Sequence, residues 1–188
     1  MPAAAVILAA GAATRMGRLK QLLPYRGKTL VEHAVEQALA AGFDPVIVVV
    51  GAEADLVRAT LSAQPVTLVE NSLWHLGMGS SIAAGVGVLA EAQAVAIMLA
   101  DQPLVETRHL LEMRALLDAN DAPAVAAQYN GTLGVPALFK LELFETLKSL
   151  DPAAGARALL RTHAMPFPLP EAAIDIDTPQ DFATLTAT

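Results

Sequence analysis

Short unbroken apolar runs alternate along this chain with longer stretches of mixed apolar and polar residues. The first run, through Val6, Ile7 and Leu8, ends at Gly11 and reads as a buried strand feeding a loop. The run at 46–50 is continuous and β-branched, as in a strand buried on both faces. Runs at 66–69 and 94–100 predict further strands. A helix is expected from a capping box, Thr29 with Glu32, to about residue 41, with Gly42 as its stop. Helices are also expected over 53–63, 78–89, 106–120, 142–150 and 153–163. The stretches 123–128 and 135–139 are expected to pair as strands around Asn130-Gly131, a hairpin-type turn. Residues 166–170 read as a proline-rich connection and 174–177 as a short extended piece. A last helix begins with Thr178 as cap and Pro179 at its first position.

Strands alternating with helices predict a mainly parallel sheet covered on both faces. Ligands of such sheets sit beyond the carboxyl ends of the strands. That expectation puts the 11–20 loop, the 70–81 loop and Asp101 on one rim.

Composition narrows the classes. A chain of 188 residues favours a single domain, 1–188, with a sizeable core. Hydrophobic residues make up 54%, which argues against disorder, although much of that fraction is alanine. The net charge of −7 argues against a nucleic-acid partner, which would want a basic face. Yet Arg15, Arg18, Lys20, Arg26 and Lys28 account for five of the 12 Lys and Arg residues. Such a local cationic patch suits a small polyanion. The absence of cysteine excludes disulfides, thiolate metal sites and a cysteine nucleophile. No Lys or Arg precedes the first apolar run, and that run is far shorter than the ~20 residues that span a bilayer. The expectation is therefore a cytoplasmic protein with no membrane partner.

The loop after the first strand carries the chemistry. Gly11 and Gly17 let backbone amides approach a ligand, and successive amides in such a turn form an anion-binding concavity. Arg15, Arg18 and Lys20 supply countercharge. A Walker loop is excluded, because five residues rather than four separate Gly11 from Gly17 and Arg18-Leu19 follow. The dinucleotide fingerprint is excluded as well, since Ala13 and Met16 stand where it needs glycine. That disfavours a nicotinamide oxidoreductase.

A third pattern fits. Leu8 to Lys20 satisfies Leu-Ala-Ala-Gly, three variable residues, Arg-Met-Gly, two residues, Lys. This resembles the signature of nucleotidyltransferases that load a nucleoside monophosphate from an NTP onto a phosphorylated acceptor. Asn71, Trp74, Gly77, Met78, Ser81 and Gly85 match a second motif. Gly134-Val135-Pro136-Ala137-Leu138-Phe139, Gly155-Ala156-Arg157 and the segment 175–181 match later ones. Over about residues 6–185 the chain resembles the molybdenum cofactor cytidylyltransferase group of the MobA-like NTP transferase family. One departure is Ala153, which stands where that group usually carries an acid, while Asp151 lies further back.

The resemblance implies a three-layer Rossmann-like nucleotidyltransferase fold with a mainly parallel central sheet. It implies nucleotide binding by Leu8, Ala9, Ala10, Gly11, Arg15, Lys20, Gly77, Met78 and Ser81, and an acceptor side lined by Gly134, Pro136 and Arg157. Lys20 would face the α-phosphate and Arg15 the phosphates that leave as pyrophosphate. Phosphoryl chemistry of this kind needs positioning and electrostatics more than a protein nucleophile. Asp101 directly follows an apolar strand, where a carboxylate is not there for packing. Beside a triphosphate it would hold Mg²⁺, which takes one or two carboxylates plus substrate phosphates. The other reading is a carboxylate favoured by the dipole of the helix that begins near Glu106. A second ligand is expected from Asp175 or Asp177, with Asp177 preferred, and Asp181 reads as a capping-box acid. Trp74 reads equally as a site residue or a core anchor, and Arg157 as a phosphate ligand or the partner of an acid on its own helix. His75 is expected in solvent, and His33, His109 and His163 are expected to be structural.

The implied reaction moves CMP from CTP to the phosphate of molybdopterin or the molybdenum cofactor. A molybdoenzyme or chaperone would receive the product. Ala9-Ala10-Gly11 is the cytidylyl version of this strand end, whereas relatives that transfer GMP carry Ala-Gly-Gly. The alternatives are transfer from GTP or another NTP to a sugar or alditol phosphate, and a module that binds NTP without turnover.

Overall fold

The computed structural model describes residues 1–12, 19–176 and 179–186. Of the expectations above, Arg15, Met16, Gly17, Arg18, Asp177 and Thr178 lie outside the described residues.

Strand β1 (Ala3–Leu8) is buried along its whole length and is an inner strand of the main sheet. A two-strand ribbon follows, β2 (Pro24–Tyr25) with β3 (Lys28–Thr29), and leads into helix α1 (Leu30–Ala40). Both hydrogen bonds of the expected Thr29–Glu32 capping box are formed. Then come β4 (Val46–Val50), α2 (Ala54–Thr60), β5 (Thr67–Glu70), α3 (Met78–Gly87), β6 (Ala94–Leu99) and α4 (Thr107–Asp118). The hairpin β7 (Ala124–Tyr129) and β8 (Thr132–Lys140) turns at Asn130 and Gly131, both at positive φ. Helices α5 (Phe144–Lys148) and α6 (Arg157–His163), strand β9 (Ala164–Pro168) and helix α7 (Pro179–Thr186) complete the order.

Seven strands form the main sheet in the order β5-β4-β1-β6-β8-β7-β9. Among the described strands of this sheet, β8 alone runs against the others. Side chains alternate across it. Ala3, Ala5 and Ile7 enter one core with Val31 and Val35 of α1 and Leu110 and Met113 of α4. Ala4, Val6 and Leu8 enter the other with Ile82 and Val86 of α3 and Phe144 of α5. The fold is thus the three-layer Rossmann-like arrangement that the nucleotidyltransferase resemblance implies. Both faces of β1 and β4 are dry, which is why their sequences read as unbroken apolar runs. Each fully buried Val or Ile there is worth about 1.5–3 kcal/mol.

Three local expectations are corrected. Helix α2 is shorter than 53–63: Glu53, at φ 52, stands outside its start, and it ends at Thr60, where residues 61–63 form a turn. Helix α6 begins at Arg157 rather than at 153, after a turn through Gly155 at φ 59. Residues 166–170 are not simply a connection: Pro166 and Pro168 belong to β9, which pairs in parallel with β7. An edge strand tolerates prolines because one side of it makes no ladder bonds.

A third, small core of Leu23, Tyr25, Leu30 and Ile176, with Phe182 and Leu185 packed against it, joins α7 to the ribbon. This brings the C-terminal segment back over the end of β1.

Candidate active site

A cavity of about 340 Å³ opens at the carboxyl ends of β1 and β6. Leu8, Ala9, Ala10, Gly11, Lys20 and Gln21 line one side, and Leu99, Ala100, Asp101 and Asp175 another. Trp74, Gly77, Met78 and Ser81 complete it.

The first wall is the continuation of β1. Ala9 N–H donates to Val49 O at 2.9 Å, and Ala10 O accepts from Ala52 N–H at 3.0 Å, so the backbone stays in register past the strand's end. Gln21 is 2% exposed, and its Nε2 donates to Ala9 O at 3.0 Å and to Gly11 O at 3.3 Å. It clamps the root of the loop, a role no local pattern announced.

Lys20 opens a short 3-10 helix, Lys20–Leu22, and its Nζ forms an ion pair with Asp101 Oδ2. Asp101 is 6% exposed and stands two residues past the end of β6. The turn it begins gathers two distant segments, one in β8 and one at 172–176. Asp101 O accepts from Ile176 N–H at 3.2 Å. The buried Gln102 amide donates to Val135 O at 3.0 Å and to Ala172 O at 2.8 Å. Ile176 is buried in the small third core, while Asp175 lines the cavity beside Asp101.

This arrangement bears on the second carboxylate. Residues two apart in an extended run share a face. Alternation by itself therefore does not separate Asp175 from Asp177: Asp175 lines the cavity, and Asp177 lies outside the described residues. Among the described residues there is no cluster of three or more His, Cys, Asp or Glu fit to hold an ion. A pair of carboxylates in a cleft with a lysine fits the mode in which Mg²⁺ is shared with substrate phosphates.

The opposite wall is the loop before α3 and the start of that helix. Asn71, Ser80 and Ser81 form a buried network there. Gly77 and Gly79 owe their lack of a side chain to the 151–153 segment. A Cβ on Gly77 would stand 2.5 Å from Pro152 O, and one on Gly79 2.2 Å from Asp151 O. Gly79 N–H donates to Pro152 O at 2.9 Å, so that amide is not open to a ligand. Trp74 lies against Gly51, where a Cβ would come within 2.7 Å of its ring, and lines the cavity as well. It is thus both anchor and wall.

The residues expected on the acceptor side do not line this cavity. Pro136 is in β8 and Arg157 is exposed at the start of α6. Gly134 leaves room for a phenol, since a Cβ there would lie 2.2 Å from Tyr129 Oη. Burial raises the Tyr129 pKa above its ordinary value, and the Asp175 charge adds to this. A hydrogen bond with the Gln102 side chain and the Arg157 charge act the other way. Tyr129 thus joins Gln102, Gly134, Asp175 and Arg157 into one polar neighbourhood that sequence reasoning missed.

The histidines sit apart from the cavity. His33 is buried, with Nε2 3.0 Å from Pro103 O and its ring edge-on to Tyr25. Burial is the main cause that lowers its pKa below the ordinary value. His109 is buried in a cap of α4, accepting from Glu106 N–H at Nδ1, and His75 is exposed. Among the described residues no helix is long and apolar enough to cross a membrane.

A mainly parallel sheet with its cavity at the carboxyl rim, walled by a glycine-ended strand and a lysine–aspartate pair, defines an α/β protein built to hold an anionic ligand. The chain belongs to the MobA-like NTP transferase domain family, whose model matches residues 5–166. It is 46% identical over 99 residues to nicotine blue oxidoreductase of Paenarthrobacter nicotinovorans, covering 52% of this chain and 48% of that protein. It is 32% identical over 170 residues to the purine catabolism protein PucB of Bacillus subtilis strain 168, covering 84% of this chain and 80% of PucB. The chain thus spans about half the length of the first of these relatives and most of the second. Among solved structures it is similar to Rv0371c of Mycobacterium tuberculosis H37Rv, with a TM-score of 0.84, 27% identity and coverage of 100% of this chain and 99% of that one. A second structure of Rv0371c, a complex with manganese, matches with a TM-score of 0.78 and 28% identity over the whole of both chains.

Proposed function

We propose that this chain, as a single domain, is a Mg²⁺-dependent cytidylyltransferase. It moves CMP from CTP to the terminal phosphate of molybdopterin or the molybdenum cofactor and releases pyrophosphate. The observation that carries the proposal is the Lys20–Asp101 pair in a cavity walled by Ala9, Ala10 and Gly11. An acceptor phosphate oxygen attacks the α-phosphorus of CTP, and the bond from that phosphorus to the oxygen bridging to the β-phosphate breaks. Lys20 holds the α-phosphate oxygens as their charge grows, which requires positioning rather than a covalent intermediate. Arg15 holds the departing β- and γ-phosphates. The backbone of residues 8–11 carries the nucleotide, with Gly77, Met78 and Ser81 on the base side.

Asp101, with Asp175 or Asp177, would hold the divalent ion, which supplies countercharge to the phosphates. The manganese complex of Rv0371c supports a divalent ion in this fold. On the acceptor side we assign Gly134 and Pro136 to shaping the wall and Arg157 to the acceptor phosphate. The reaction is cytoplasmic, and a molybdoenzyme or its chaperone takes the product.

Pyrophosphate release tests this, with CTP, GTP, UTP and ATP each offered with Mg²⁺ and a panel of acceptor phosphates that includes molybdopterin and sugar and alditol phosphates. Release from CTP with the pterin acceptor is the expected result. Release with another pair reassigns the substrates, and binding without release makes the chain a nucleotide-binding module. The 46% identity to a protein named an oxidoreductase supports a second reading, redox chemistry at this cavity. Consumption of NADH or NADPH would establish it.

A further inference from the structure

The buried network beside the cavity has a direction. Leu73 N–H donates to Asn71 Oδ1 at 3.0 Å, which fixes which end of the amide faces which way. The two hydrogens of Nδ2 are then both committed, to Ser80 Oγ at 2.9 Å and to Ser81 Oγ at 3.0 Å. Ser80 returns its own hydroxyl hydrogen to the loop, with Gly77 O at 2.8 Å and Leu73 O at 3.0 Å as acceptors. Ser81 differs. Its oxygen accepts from Asn71, and among the described residues its hydroxyl hydrogen meets no acceptor. Ser81 lines the cavity although the residue is only 5% exposed.

A hydroxyl can donate one hydrogen bond and accept two. Asn71 takes one lone pair of Ser81 and orients its oxygen, and the unclaimed hydroxyl hydrogen gives the cavity a donor. We infer that Asn71 is a positioning residue that turns the Ser81 hydroxyl into a hydrogen-bond donor toward the nucleobase, where it meets the 2-oxygen of a pyrimidine. The inference rests on the nucleotide reading of the cavity and adds the polarity of its base-side wall. Cytosine and uracil share that 2-oxygen, whereas guanine carries an amino donor at its 2-position. A fixed donor therefore selects by chemistry, beside the steric selection made by Ala10. Removing one neutral hydrogen bond of this type changes an equilibrium about five- to tenfold.

The test is calorimetric binding of CTP and of 2-thiocytidine triphosphate, whose sulfur is a poor acceptor, to the whole chain with Mg²⁺. The expected result is about five- to tenfold tighter binding of CTP by the wild type. Ser81→Ala and Asn71→Ala should each bring the two affinities together. A merely structural role for Asn71 would weaken both ligands alike and leave their ratio unchanged. Ser81→Ala leaves the Leu73–Asn71–Ser80 links in place, so it answers the question even where Asn71→Ala does not fold. Equal affinities in the wild type, or a ratio that survives Ser81→Ala, would overturn the inference and leave the nucleotide reading standing. A wild type that binds none of CTP, UTP, GTP and ATP would overturn both.

Discussion

Lys20 and Asp101 face each other across the carboxyl ends of adjacent parallel strands, β1 and β6, and their side chains form an ion pair there. The pair joins the group assigned to phosphate with the group assigned to metal. On those assignments each is the other's competitor: a divalent ion on Asp101 would displace the ammonium, and a substrate phosphate would give that ammonium a new partner.

Lys20→Ala is expected to lower turnover at saturating CTP by at least ~10²-fold, the usual loss for one transition-state electrostatic contact. It should also tighten Mn²⁺ binding to the protein without nucleotide, because Asp101 loses its competing cation. Steady-state kinetics and a Mn²⁺ titration read the two effects separately. Unchanged turnover removes Lys20 from the catalytic set.

Asp101→Asn is expected to abolish metal-dependent pyrophosphate release with little change in thermal midpoint. The bond from Ile176 N–H uses the backbone carbonyl of residue 101, so the C-terminal segment keeps its anchor. A crystal grown with nucleotide and Mg²⁺ should place an Asp101 oxygen about 2.0–2.1 Å from the ion, or one water away. An ion bound elsewhere defeats the assignment.

Ala10→Gly is expected to erode the preference for CTP over GTP. Ala10 is 5% exposed and lines the cavity, so its methyl group takes up room that a purine would need. A steric difference of this size is worth about 1–3 kcal/mol, or roughly 10–200-fold in the ratio of kcat/KM. A wild type that prefers GTP overturns the base assignment.

His33 predicts a pH dependence of stability. Its pKa is lowered in the folded chain below the ordinary 6.5, chiefly by burial, so folding favours the neutral ring. The unfolded chain then binds the extra proton first. This contribution is fully present above pH 6.5 and is lost as pH falls through the lowered folded value. His33→Gln should flatten the thermal midpoint against pH between about 7.5 and 5, relative to wild type. Parallel curves would show that His33 does not contribute.

Gly85→Ala is expected to destabilise. A Cβ there would lie 2.4 Å from Val6 Cγ1 and 2.9 Å from Val49 Cγ2, so α3 would have to lift off β1 and β4. Overpacking of this kind costs about 1–3 kcal/mol. At roughly 2–4 °C per kcal/mol for a chain of this size, the midpoint should fall by several degrees in a melting scan. No change would mean that the helix adjusts freely.

The sequence by itself determined most of the strands and helices and one wall of the cavity. Strands buried on both faces must be continuously apolar, so β1, β4 and β6 could be read with their bounds nearly right. The capping box of α1 and the Asn130-Gly131 turn are local hydrogen-bonding and backbone matters, legible within a few residues. The Leu8–Lys20 motif announced an anion loop because small residues and cations crowd one short stretch. The tertiary structure decided the rest, where a residue's role depends on what the folding chain brings against it. Gln21, Gln102 and Tyr129 look like ordinary polar residues in sequence, and each becomes a site element only through distant partners. Nothing local says that Gly77 and Gly79 must lack a side chain; the 151–153 segment crossing them requires it. The prolines of β9 read as a connection because nothing local says which strand will be the sheet's edge. Asp175 comes to the cavity that Asp101 lines because Ile176 packs with Phe182 and Leu185 of α7 and its N–H is held by the Asp101 carbonyl. That contact exists only once the chain has closed on itself.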